Sequence, residues 1–391
     1  MRGRSTVLLL WCESASDDRK YLKAHAVGSV RLSILLPTNR SGLAAIASVA
    51  QACAWAGPEI QVVVRDNSGN AEKRALLKHF EREHCEIISV DPCEPLENYS
   101  GILSRAKGEF IFSISDDDQC FTRAINALPD LIGQISHDAG VVAVTGIYAL
   151  ELPQGSASVD YQDVDSDNPA VRVAGYLNYP GPNVLSYSVL RREVAERILP
   201  FMKSLPFYLS FHDQILCLLY LLNGRYVKLQ RLFYVYDIGV WDTDESAQRR
   251  DIDFYGAAGL DPAINKLQWL LCGFEGAVLT MNSNIFPNYP VAQRQPIADL
   301  WFSTMYARFM RNPRMTAGSA LTEEAEKLCA KLREASGQLT FQKLLADICG
   351  FMALFSTSQA QKYFDFWAAV LNKRQPLVGS PGAEPAKPPA A

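Results

Sequence analysis

The chain lacks any organised pattern of cysteines. Nine are scattered through 391 residues, with no Cys-x-x-Cys pair and no interleaved histidine spacing. That excludes a disulfide framework and a zinc knuckle, and it predicts reduced, mostly core thiols in a cytosolic protein. Long apolar runs are missing too. Residues 215–222 and 267–281 are the longest, both short of the roughly 20 residues of a membrane span, and Glu275 interrupts the second. At the start, Arg2 and Arg4 precede the apolar residues 7–11, but this run is too short for a signal sequence and Glu13 ends it. Charge is balanced, with 38 basic against 42 acidic residues and a net charge of -4. This is too mild to steer the chain toward nucleic acid, so an anionic ligand must be held locally. There is no internal repeat, Gly-x-Gly-x-x-Gly, P-loop or Gly-x-Ser-x-Gly. Their absence removes the commonest NAD-binding, ATP-hydrolysing and serine-hydrolase readings.

What is present is a globular composition, 48% hydrophobic and 20% charged, over a length that predicts two packing units. Residues 31–36 (RLSILL) read as a buried strand opening into Pro37-Thr38, and residues 43–56 follow as a helix closed by Gly57-Pro58. Residues 61–64 (QVVV) form a second strand ending in the turn-rich 65–70, then a helix over 71–84 and a strand over 85–90. A short helix over 98–107 is broken by Gly108, and the strand 109–115 (EFIFSIS) leads into Asp116-Asp117-Asp118. Strands alternating with helices at this spacing predict βαβ units and a mostly parallel, Rossmann-like sheet flanked by helices. Ligands are then expected at the carboxyl ends of the strands.

Another strand is expected over 139–150, then a loop-rich flap to 168, helices over 191–201 and 213–222, and a strand over 226–236. Beyond Pro262 the apolar period becomes helical, as in Ile264, Leu267, Leu271, Phe274 and Val278, and again behind a Thr322 cap with Glu323 and Glu324 in its first turn. Residues 341–355 and 363–371 continue as helices. The predicted organisation is an N-terminal extension (1–29), an α/β domain (30–261), a helical C-terminal domain (262–375) and a disordered Pro/Ala-rich tail (376–391).

Three adjacent aspartates at a strand end repel one another unless a cation or hydrogen-bond donors compensate them. Their hard oxygens suit Mg²⁺ or Mn²⁺, which would bridge the phosphates of a nucleotide diphosphate. A solvated acidic turn is the competing explanation, and the position behind a buried strand argues against it.

In the order of these motifs the chain resembles the family 2 glycosyltransferases, over roughly residues 30–240. Pro37-Thr38-Asn39-Arg40 stands where that family has a Pro-Thr-x-Asn-Arg-like loop, one residue longer. Asp66 stands at the strand-end aspartate, and Ala106-Lys107-Gly108 followed by Asp116-Asp117-Asp118 at the Ala-x-Gly and Asp-x-Asp motifs. The resemblance implies the GT-A fold and a nucleotide-diphosphate-sugar donor held with a divalent cation. Asp66 would bind the base, Asp116 the ribose or base side, and Asp118 the metal, with Asp116 and Asp117 as further candidates. Pro37, Thr38 and Arg40 would line the donor site. Capping and a solvated charge are the competing readings for Thr38 and Arg40, and a plain turn aspartate for Asp66.

The family's base is an acid at a downstream helix start, matched here by Asp213 in Phe211-His212-Asp213-Gln214. Asp213 would take the acceptor hydroxyl's proton, inverting the anomeric carbon, unless it merely caps its helix. Asn183, in Gly181-Pro182-Asn183, and His212 are candidate acceptor contacts. Tyr176, Tyr179 and Tyr187 are either sugar-stacking or packing residues. The absence of Gln-x-x-Arg-Trp points to transfer of a single sugar. The expected partners are a nucleotide sugar and a glycan, lipid-linked or other hydroxyl acceptor. The location is cytoplasmic, with peripheral contact at the inner membrane face left open. Two alternatives stand beside this reading, a sugar nucleotidyltransferase and a non-catalytic nucleotide-sugar or glycan-binding module.

Overall fold

The computed structural model describes residues 29–117, 119–152, 155–179, 183–237, 244–282, 290–311, 319–335 and 339–372. The expected N-terminal extension up to residue 28, Asp118, Gly181, Pro182 and the tail from 373 lie outside the described residues.

The chain begins as β1 (Leu32–Thr38), α1 (Leu43–Ala54), β2 (Ile60–Asp66), α2 (Ala71–Lys78), β3 (Cys85–Ser89), α3 (Pro95–Leu103) and β4 (Phe110–Ser113). Leu32, Ile34, Leu35 and Leu36 of β1 are fully buried, because helices cover both faces of the parallel strands. At about 1.5–3 kcal/mol per fully buried large side chain, such strands anchor the fold. Then follow β5 (Gln119–Cys120), α4 (Thr122–Ile135), β6 (Val141–Leu152), β7 (Gly155–Val159), α5 (Pro169–Leu177), β8 (Val189–Arg191), α6 (Arg192–Ser204), α7 (His212–Asn223) and β9 (Arg225–Asp237). All nine strands join one sheet in the order β3-β2-β1-β4-β8-β6-β9-β5, with β7 paired to β6. β1, β2, β3, β4, β6 and β9 share one direction, so the sheet is mostly parallel as expected.

The remaining helices are α8 (Asp244–Ala257), α9 (Gln268–Asn282), α10 (Val291–Arg311), α11 (Thr322–Glu334), α12 (Phe341–Met352) and α13 (Thr357–Leu371). The C-terminal part is helical, as its period predicts. α9 is apolar nearly all round and packs between α10, α7 and α13, while α10 packs on α5. One hydrophobic core runs continuously from Leu32 to Val370. Among the described residues no helix is long and apolar enough to cross a membrane, and no disulfide joins the eight described cysteines.

Several local expectations need correction. The flap expected up to residue 168 contains β7, which pairs antiparallel with β6, and Val159, Tyr161 and Val164 anchor the segment in the core. The helix expected over 71–84 stops at Lys78, since His84 adopts φ 61° in a tight turn bridging Arg82 to Cys85. Thr322 does not cap α11. Leu321 holds the cap position, and the Thr322 hydroxyl donates to Ser319 O at 2.9 Å.

Candidate functional site

The chain passes from β1 outward to β2 and β3, then returns across β1 to form β4 on its other side. That reversal opens a crevice at the carboxyl ends of β1 and β4, the usual ligand position in such sheets. Register places Thr38 opposite Asp66 and Leu35 opposite Ser113, so β1, β2 and β4 deliver Thr38, Asp66 and the Asp116-Asp117 turn to the same edge. The structure thus brings together Pro37, Thr38, Arg40, Asp66, Asp116 and Asp117. Asp118 lies outside the described residues.

These side chains form one chain of polar contacts. Asp66 and Asp116 are buried, 1% and 2% exposed. The Lys73 ammonium, itself buried on α2, sits 2.9 Å from Asp66 Oδ1 and donates to Thr38 Oγ1 at 2.7 Å. Thr38 in turn donates to Asp116 Oδ2 at 2.5 Å. Arg40 pairs through one guanidinium nitrogen with Asp116 Oδ1 and through the other with Asp117 Oδ2, the latter at 2.8 Å. Ser115 Oγ also donates to Asp117. Buried carboxylates require such partners, because an unpaired buried charge costs several kcal/mol.

Lys73 was not anticipated from the sequence. It lies three residues after Asn70, whose side chain caps α2 by accepting from Lys73 N. α2 carries three basic residues, Lys73, Arg74 and Lys78, and nothing in the sequence marks Lys73 as the buried one.

The Ala106-Lys107-Gly108 motif works at the opposite end of the sheet. Lys107 N and Gly108 N donate to Ser33 Oγ at 3.0 and 2.8 Å, and Lys107 N also donates to Gln61 Oε1 at 2.8 Å. A Cβ on Gly108 would fall 2.5 Å from Ser33 N, so glycine is needed for the close approach of the two segments. The motif aligns β4 with β1 and thereby sets where the aspartates emerge.

Asp213 lies in the first turn of α7, where its Oδ1 accepts from Gln214 N at 2.6 Å. The side chain is half-buried, and its partial loss of hydration raises its pKa from 3.8 to about 6. The nearby Asn183 amide, the Gln214 N–H and His212 oppose the shift. Asn183 Oδ1 accepts from Cys217 Sγ at 3.4 Å, and among the described residues its buried Nδ2 has no partner at normal hydrogen-bond length. An acid with this pKa is mostly ionised at neutral pH and more basic than an ordinary aspartate, which suits a general base.

His212 is 1% exposed, and both ring nitrogens are engaged, by Leu209 and by Glu275. It faces the C-terminal helices, so the structure does not offer it to an acceptor. Tyr176 is buried between Tyr161 and Trp301, and Tyr179 packs edge-on against Tyr161. Tyr187 stacks on Tyr234 at 4.6 Å and leans on Tyr236. Tyr234 faces Cys120 in the β5–β9 pairing, just beyond the aspartates. A 3-10 turn, Val184–Tyr187, connects this aromatic wall back to Asn183 beside Asp213. The wall spans from the aspartate turn toward the candidate base.

Among the described residues no group of three His, Cys, Asp or Glu side chains is placed to hold a metal ion. Asp116 and Asp117 nevertheless present adjacent hard oxygens, and the cation holding them is Arg40, 44% exposed and on a loop. Exchange of an exposed guanidinium for a hard divalent cation fits this donor set.

No protein-family model and no curated protein matches the sequence. In three dimensions the chain is similar to TarS from S. aureus. The 1–349 segment of TarS gives a TM-score of 0.46 at 14% identity, covering 88% of this chain and 91% of that one. The same segment in complex with UDP-GlcNAc gives 0.47 at 14% identity over the same shares. Against the longer TarS structure the TM-score is 0.48 at 16% identity, covering 88% of this chain and 55% of that one.

Proposed function

We propose that the protein is a GT-A-type glycosyltransferase, of the kind its motifs resemble in family 2, that moves one sugar from a nucleoside-diphosphate sugar to an acceptor hydroxyl. The observation that carries this reading is the convergence of two buried aspartates, each matched to a cation, at the crevice where the strand order reverses. A structural acidic turn has no need of Asp66, Lys73, Thr38, Asp116 and Arg40 in one connected chain.

On this reading Asp66 accepts from the nucleotide base, Thr38 and Pro37 form the floor beneath the ribose, and Asp116 binds on the ribose side. Asp116, Asp117 and Asp118 would hold a Mn²⁺ or Mg²⁺ ion, which when bound supplies positive charge to the leaving diphosphate. Arg40, released from the acids, turns its guanidinium to a phosphate oxygen. Asp213 takes the acceptor hydroxyl's proton as that oxygen bonds to the anomeric carbon, the bond to the diphosphate breaks, and the configuration inverts. Asn183 orients the acceptor beside Asp213. Residues 30–261 carry the donor site, and the helical part from 262 carries support for the base and contacts to the acceptor or a membrane face.

Calorimetric titration of UDP and GDP, in Mn²⁺ and in EDTA, tests the reading on the wild type, Asp116→Asn and Asp118→Ala. UDP-GlcNAc is the first donor probe, since it is the ligand in the TarS complex. Metal-dependent binding lost in both variants supports the reading. No binding of either nucleoside diphosphate sinks it.

A further inference from the structure

α9 is a core helix in which Leu270, Leu271, Cys272, Phe274, Ala277, Val278 and Leu279 are fully buried, yet it carries Glu275, 2% exposed. A carboxylate among such neighbours is expensive to desolvate, and apolar packing alone has no use for it. Its two oxygens are both engaged. Oε2 lies 2.9 Å from His212 Nε2, and Oε1 accepts from the Tyr363 hydroxyl of α13 at 2.8 Å. His212 Nδ1 faces the Leu209 backbone, 2.7 Å from its N and 3.1 Å from its carbonyl oxygen, while Nε2 faces Glu275. Tyr363 is held in its neutral, donating form by burial and by the Glu275 charge. Phe211 and Tyr208 stack on the His212 ring, and Phe207 stacks on Tyr363. The partners lie 63 and 88 residues apart in sequence, so the tie joins α7 to two helices of the C-terminal part.

His212 directly precedes Asp213. We propose that Glu275 is a positioning residue for Asp213: through His212 it fixes the first turn of α7 and holds the half-buried Asp213 carboxylate in its niche. This rests on the reading of Asp213 as the base, and it gives the C-terminal helices a part in the reaction. The titratable groups facing Asp213 are His212 and Cys217 of α7, Tyr208 just before it, Tyr176 of α5 and Cys272 of α9. None of them is a carboxylate. Hydration of the niche therefore dominates where Asp213 titrates, and loosening the turn must lower that midpoint.

The experiment needs no knowledge of the acceptor. The pH dependence of the stability difference between each protein and its Asp213→Asn partner reports the Asp213 titration. It is measured in the wild type and in Glu275→Ala, Glu275→Gln and Tyr363→Phe backgrounds. UDP affinity and UDP release from UDP-GlcNAc are recorded alongside. Glu275→Ala is expected to move the Asp213 midpoint down by about one pH unit and to slow UDP release about tenfold or more, with UDP affinity kept. Glu275→Gln can still hydrogen-bond His212 and is expected to restore most of both properties. Tyr363→Phe keeps the ring and loses one bond to Glu275, so it gives a smaller shift in the same direction and serves if Glu275→Ala fails to fold. An unchanged Asp213 midpoint in the folded variants overturns the proposal. Absence of UDP binding and release in the wild type overturns the functional reading instead, and leaves the titration readable.

Discussion

Replacing Asp213 by asparagine should make the protein more stable and inactive at once. Folding raises the Asp213 pKa from 3.8 to about 6, so between those values the folded chain binds a proton that the unfolded chain has already released. Stability from this group is therefore complete below about pH 4 and declines as pH rises through about 6, above which the folded protein carries the cost of a half-buried anion. The shift of about two pH units, at roughly 1.4 kcal/mol each, makes that cost about 3 kcal/mol. Asparagine keeps an oxygen to accept from Gln214 N and carries no charge.

The variant should thus gain about 3 kcal/mol at pH 8 and almost nothing at pH 4. With roughly 2.1 cal/mol/K of unfolding entropy per residue over 391 residues, the pH 8 gain corresponds to about 4 °C in melting temperature. Thermal denaturation of both proteins between pH 4 and 8 measures it. On the proposed reading, loss of Asp213 as general base should reduce sugar transfer by about 10²–10⁴-fold, with UDP affinity unchanged. A stability difference that does not grow with pH would refute the claim that burial perturbs Asp213. A gain in stability with transfer intact would leave it perturbed but not catalytic.

Three further outcomes follow from the geometry. Lys73→Met strands the buried Asp66 carboxylate and should cost about 3–5 kcal/mol in urea denaturation; a near-neutral result would mean that Asp66 does not depend on Lys73. Arg40→Ala removes the cation that engages Asp116 and Asp117, so calorimetry should find tighter Mn²⁺ binding to the nucleotide-free protein, whereas weaker binding would contradict competition between Arg40 and metal. Gly108→Ala forces a Cβ to within 2.5 Å of the β1 backbone at Ser33 N and should destabilise the protein by about 1–3 kcal/mol; equal stability would mean that this segment moves freely away from β1.

The central strands were legible because burial on both faces leaves continuous apolar runs, and their polar ends named Thr38, Asp66 and Asp116 in advance. Pairing partners carried no such mark. Lys73 is one of three basic residues on its helix, and the His212–Glu275–Tyr363 tie unites three distant segments, although the break that Glu275 makes in an apolar run was a visible hint. α4 was missed because Pro129 sits inside it, and Pro is normally read as a helix breaker. β7 (GSASV) was missed because small residues carry no alternation of large apolar and polar side chains; only its contact with β6 makes it a strand. The Ala-x-Gly motif was found, but its work at Ser33 and Gln61 belongs to tertiary contact.

Charge in the crevice connects these pieces. Asp66, Asp116 and Asp117 meet Lys73 and Arg40, so three carboxylates face two cations and the described groups remain negative. Such a crevice repels a bare diphosphate. Of the two cations, Lys73 is sealed in the core at 1% side-chain exposure, while Arg40 is 44% exposed on a loop. Lys73 is therefore fixed as part of the fold, and Arg40 is the charge able to move. On the proposed reading, donor binding requires a divalent cation on the acids and frees Arg40 for the phosphates in the same event. Nucleotide and metal should then bind with positive cooperativity in the wild type, and that cooperativity should shrink in Arg40→Ala, where metal no longer has a guanidinium to displace.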